Sequence, residues 1–126
     1  MTTEMVRLYA MLNHKTLTDA GSKVSRQYRN YQTALINVME RVANGICANL
    51  VKATKGHYFT TMFIEKDGKF VYVSFENIKG ARTYIDFDCP FNLLVRTAKD
   101  ENDYEGGNNI FTTFPNLRET IKMLLK

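Results

Sequence analysis

The sequence predicts an α+β domain: a long N-terminal helical segment, a four-stranded antiparallel β-meander and a short C-terminal helix. Three observations lead there. An apolar stripe at steps of three and four runs through the first half, alternation with period two takes over from residue 57, and a helical pattern returns at the end. With 126 residues the chain holds one core, so residues 1–126 read as a single domain. The hydrophobic share of 44% and charged share of 24% exclude a disordered tail or a collagen-like repeat. Apolar runs are only a few residues long, so no membrane span is expected.

Met5, Leu8, Tyr9 and Leu12 place a short amphipathic helix over residues 4–13, and 15–22 read as a connector. Val24, Tyr28, Tyr31, Leu35, Val38, Val42, Ile46, Leu50 and Ala53 then share one stripe, which predicts a long helix over about residues 23–54. Asn44-Gly45 is a candidate stop or bend, but the stripe stays in phase across it, so one helix ended by Gly56 is the preferred reading. Such a helix is about 45 Å long. It overhangs a small sheet, and the overhang predicts a second copy as partner.

Strands are expected over 57–65 and 69–76 around Asp67-Gly68, a two-residue type I′ turn. That turn pairs Ile64 with Val71, Met62 with Val73 and Thr60 with Phe75 on one face. It pairs Phe63 with Tyr72, Phe59 with Glu76 and Glu65 with Phe70 on the other. Residues 82–88 and 91–98 are the other two expected strands, with Pro90 at a strand start or bulge. Residues 99–109 read as an exposed acidic loop. Ile110–Phe114 is a candidate extended segment. Asn116 and Glu119 suggest a capping box before a helix carrying Leu117, Ile121 and Leu124.

Chemistry is argued by absence. His14 and His57 stand in no nucleophile context, there is no Cys-x-x-Cys, and Cys47 and Cys89 read as small buried hydrophobes in a reducing cytoplasm. The N-terminus has neither a basic stretch nor an apolar segment, so it reads as carrying no targeting signal. The run from Asp100 fails the calcium-loop pattern at Tyr104 and Glu105. Asp86 and Asp88 read as solvated carboxylates beside a turn, and Gly106-Gly107 lacks the context of a phosphate loop. The expectation is a protein that is no enzyme and holds no metal or cofactor.

Two features point to binding. Charge is uneven: residues 1–55 hold 8 Lys/Arg against 3 Asp/Glu, whereas 100–126 hold 3 against 5. The excess includes Lys23, Arg26 and Arg29, which favour an anionic partner. The second hairpin face gathers Phe59, Phe63, Phe70 and Tyr72, with Lys66, Lys69 and Arg82 at its rim. Such a face stacks bases and holds phosphates, or packs against another helix or subunit. Candidate ligand-binding residues are therefore Lys23, Arg26, Arg29, Phe59, Phe63, Lys66, Lys69, Tyr72 and Arg82. Tyr28, Tyr31, Leu35 and Phe70 are candidate interface residues. The leading expectation is an oligomeric binding protein for nucleic acid first and a nucleotide second. The alternative is a protein-binding inhibitor or adaptor, of the kind found among small viral accessory proteins, that occupies a partner's surface.

Overall fold

The computed structural model describes residues 22–56, 59–76 and 93–126, with side chains of the first helix given from Arg29 onward. The expected 4–13 helix, the 82–88 strand, Arg82, Asp86, Asp88, His14, His57 and Cys89 lie outside these residues.

The stripe forms helix α1 over Ser22–Gly45, and Tyr31, Leu35, Val38, Met39 and Ala43 are its buried face. The expectation of one helix to residue 54 is overturned. Cys47 N–H donates to Asn44 O at 3.1 Å and Ala48 N–H donates to Ala43 O at 2.9 Å, the bond pair of a Schellman stop. The left-handed residue in that stop is Cys47, at φ 59°, where glycine is usual. Cys47 is also exposed, not the buried hydrophobe expected. Glycine at this position removes the Cβ conflict of left-handed backbone but frees the unfolded chain. Cys47→Gly is expected to raise stability by about 0.5–1 kcal/mol, and Cys47→Val to lower it, read from urea midpoints.

Strand β1, Asn49–Lys55, follows the stop and pairs antiparallel with β2, Phe59–Lys66. Its register explains why the helical spacing continues past the stop. Leu50 pairs with Ile64, Lys52 with Phe63 and Ala53 with Met62, so Val51 and Lys52 share one opposite residue. This bulge puts Leu50 and Ala53, three apart, on the same sheet face. A three-residue step on one face is also what a helix gives. Gly56 therefore ends no helix. It sits in the β1–β2 connection, where its N–H donates to Phe59 O at 2.8 Å.

Strand β3, Lys69–Glu76, pairs with β2 in the register that the Asp67-Gly68 turn dictates, including all six pairs anticipated. Asp67 and Gly68 have φ of 53° and 84°, both positive as a type I′ turn requires. Strand β4, Leu93–Ala98, takes the other edge of β3, where the expected meander put residues 82–88. Strand β5, Ile110–Phe111, pairs with β4 through Leu94 and Val95. Among the described residues the sheet has five strands in the order β1-β2-β3-β4-β5, one more than the expected four.

Helix α2, Phe114–Leu124, begins two residues before the expected cap. Thr113 is the N-cap residue, and Asn116 lies inside the first turn, where its Nδ2 donates to Thr113 Oγ1. No Asn116–Glu119 capping box forms, because the helix starts at Phe114 and Asn116 lies inside it, with its N–H donating to Thr113 O at 3.0 Å. Phe114, Leu117 and Ile121 join α1 over Met62, Ile64, Val71, Val73, Phe75, Leu93 and Val95. The core is thus the aliphatic hairpin face covered by both helices, which leaves the aromatic face to be accounted for.

Candidate functional site

The strand registers place Lys52, Phe63, Tyr72 and Arg96 in one row across β1 to β4 on the aromatic face. The acidic loop 99–109 folds back over this row. Tyr104 meets Phe63 edge-on at 5.2 Å between ring centroids and Tyr72 at 5.9 Å, and Phe63 and Tyr72 are 5.1 Å apart. Lys52 Nζ lies 5.1 Å from the Tyr104 ring centre and donates to Asn102 Oδ1 at 2.8 Å. At the other end, the Arg96 guanidinium lies 4.4 Å from the Tyr72 ring centre. It donates to Thr97 O at 3.1 Å and Asp103 O at 2.6 Å. Ring faces are electron-rich, so each cation adds attraction that an aliphatic neighbour would not supply.

Asp103 organises the loop. Its carboxylate accepts the backbone N–H groups of Lys99 at 2.9 Å, Glu105 at 3.2 Å and Gly106 at 2.9 Å. Donors aimed at a carboxylate favour its charged form. The Lys99 N–H foremost, then those of Glu105 and Gly106 and the Arg96 charge, hold its pKa below the usual value despite opposing desolvation. Gly107, at φ 79°, then returns the chain to β5, tight against Thr97.

The loop changes the reading of the aromatic residues. Phe63 is only 1% exposed, so its ring offers no free face for a base. Tyr72 and Phe70 are half-buried. Phe59 remains 41% exposed, with its ring over Gly56. Lys66 and Lys69 pair with each other beside the turn, and alternation assigns them to the helix-covered face rather than to the aromatic rim. Tyr31 and Leu35 are fully buried in the core, so neither is a surface for a second copy. Sequence reasoning missed Lys52, Arg96 and Tyr104. Their one signal was a lone tyrosine inside an otherwise polar loop.

A basic corner forms on the other side of the sheet. Arg29 Nη1 donates to Lys55 O at 2.8 Å, Gly56 O at 3.3 Å and Gln32 Oε1 at 3.1 Å. Gln32, fully buried, sends Nε2 to Gly56 O and Phe59 O, both at 3.0 Å. Lys55 Nζ donates to Thr33 Oγ1. The helix start and the hairpin end are thereby tied together by neutral acceptors, and two cations are left facing solvent. Lys23 and Arg26 precede Arg29 on the same helix, where their side chains lie outside the described ones.

Among the described residues no group of three or more His, Cys, Asp or Glu side chains is placed to hold a metal ion. None of the described helices is long and apolar enough to cross a membrane. No family model, curated protein or solved structure matches the chain.

Proposed function

We propose that this chain is a non-enzymatic binding protein that engages an anionic partner, nucleic acid first and a nucleotide second, through the basic corner of α1 and the β1–β2 end. The supporting observation is that Arg29 and Lys55, both exposed, meet only neutral acceptors among the described residues. Two cations that meet no carboxylate among the described residues, one of them on the helix whose sequence also holds Lys23 and Arg26, attract phosphates at long range. Lys23, Arg26, Arg29 and Lys55 are the contact set, and phosphate contact takes precedence over base stacking because Phe63 lies under Tyr104. A second copy is not required by this mode. The overlong helix that suggested one is a helix of 24 residues, and Phe63 on the aromatic face is 1% exposed under Tyr104.

The test is a fluorescent oligonucleotide, single-stranded and duplex, titrated across a salt series. The slope of log affinity against log salt is expected to shrink by roughly one for each of Arg29→Ala and Lys55→Ala. Lys66→Ala and Lys69→Ala, on the far hairpin tip, leave that slope unchanged. Binding absent on both probes at about 50 mM salt refutes the nucleic-acid reading, since that is where phosphate contacts are strong. One observation favours the alternative of a protein-binding inhibitor or adaptor: an acidic peptide segment already occupies the aromatic row.

A further inference from the structure

We propose that the Lys52–Phe63–Tyr72–Arg96 row is a recognition site for an acidic, tyrosine-bearing peptide segment of a partner protein, kept closed by the chain's own residues 100–105. The inference rests on the other sheet face from α1, so it stands or falls apart from the basic corner.

The occupant identifies the ligand chemistry. Three groups of the loop touch the row: the Tyr104 ring against Phe63 and Tyr72, the Asn102 side-chain oxygen on Lys52, and the Asp103 main-chain oxygen on Arg96. All three are groups that a peptide supplied in trans repeats. Arg96 is 3% exposed and meets a main-chain carbonyl of the segment, Asp103 O, at 2.6 Å. The segment Asp100-Glu101-Asn102-Asp103-Tyr104-Glu105 holds four carboxylates, and a cation flanks the rings at each end of the row. Segment and site are thus opposite in overall charge, which steers their encounter, while the hydrogen bonds to Lys52 and Arg96 come from an amide oxygen and a main-chain oxygen. The plug is shallow: Tyr104 keeps 48% of its surface exposed, and the other side chains from Lys99 to Asn109 are exposed or half-buried. A loop anchored by few buried apolar groups opens at modest cost.

A tethered competitor acts at an effective concentration on the order of millimolar, so vacating the row strengthens binding in trans. The experiment uses the full chain with Tyr104→Ala and a labelled peptide of sequence Asp-Glu-Asn-Asp-Tyr-Glu, followed by fluorescence anisotropy. The variant is expected to bind it about tenfold or more tighter than the unaltered chain. Binding is expected to be lost when the peptide's tyrosine is replaced by alanine, and to weaken when Lys52→Ala is added to Tyr104→Ala. A folded Tyr104→Ala chain that ignores the peptide overturns the proposal. So does equal binding of the alanine peptide, or an oligonucleotide that occupies the row while the peptide fails to compete. Should Tyr104→Ala not fold, NMR of the unaltered chain decides. Millimolar peptide is expected to shift the Phe63 and Tyr72 ring signals, and unmoved rings refute the site.

Discussion

Replacing Phe63 by alanine is expected to lower the free energy of unfolding by about 3–5 kcal/mol, the cost of deleting a buried aromatic ring. Urea denaturation followed by far-ultraviolet circular dichroism measures it. The magnitude follows from what surrounds the ring. Phe63 is 1% exposed although it points away from the two helices, because Tyr72 lies beside it and Tyr104 closes over it. Truncation leaves a void bounded by strands on either side and by a loop fixed at both ends, so the site collapses only in part. The loss also reaches Tyr104, whose ring then keeps, among the described residues, Tyr72 and Lys52 as partners. Phe59→Ala, on the same face but 41% exposed, is expected to cost a small fraction of this. The two variants separate a buried ring that holds the fold from a ring that is 41% exposed. A Phe63→Ala chain as stable as the parent would mean that the loop does not cover the row.

The difference between those rings shows where the sequence was legible. The Asp67-Gly68 turn fixes the pairing of eight residues on each side, and alternation then sorts Ile64, Val71 and Val73 from Phe63 and Tyr72. Local chemistry is sufficient there, because a two-residue turn leaves one register. The helix end, at the Asn44-Gly45 stop that the sequence offered as the alternative, was masked by the apolar stripe that stays in phase past it. Its stop relies on Cys47 in a left-handed conformation that favours glycine, and the bulge at Val51 spaces Leu50 and Ala53 as a helix would. The covering of Phe63 was hidden for a different reason. Residues 99–109 carry one large apolar side chain, and neither period nor composition says which face of a sheet a polar loop will lie on. What settles it are the contacts of Asn102 with Lys52, of Asp103 with Arg96 and of Tyr104 with Phe63, none of which has a local signature. The basic corner was legible as charge at Arg29. Its tie to Lys55 and Gly56 through the buried Gln32 was not, since it joins residues more than twenty positions apart.

Gly107→Ala is expected to destabilise the chain by about 1–3 kcal/mol through backbone conformation alone, with a steric term added. Gly107 has φ 79°, a region that side chains with a Cβ rarely adopt. A Cβ there would also lie 2.6 Å from the main-chain oxygen of Thr97, which belongs to β4 and has no freedom to swing aside. Gly106, its neighbour, is a different case. A Cβ on it meets the Asp103 carboxylate at 2.6 Å, and Gly106 has no positive φ. Gly106→Ala therefore disturbs the loop tether, while Gly107→Ala disturbs the path from the loop into β5. Differential scanning calorimetry is expected to show the larger drop in Tm for Gly107→Ala. Hydrogen exchange localises the cause: the amides of Lys99, Glu105 and Gly106, held by Asp103, are expected to lose protection in both variants. The Thr112 amide, bonded to Leu93 O at 2.9 Å beyond the loop, is expected to lose protection only in Gly107→Ala. Equal stability of the two variants, with Thr112 protected in both, would mean that the chain leaves the loop by a path that tolerates a side chain at 107. The closed state of the aromatic row would then depend on Tyr104 and Asp103 alone.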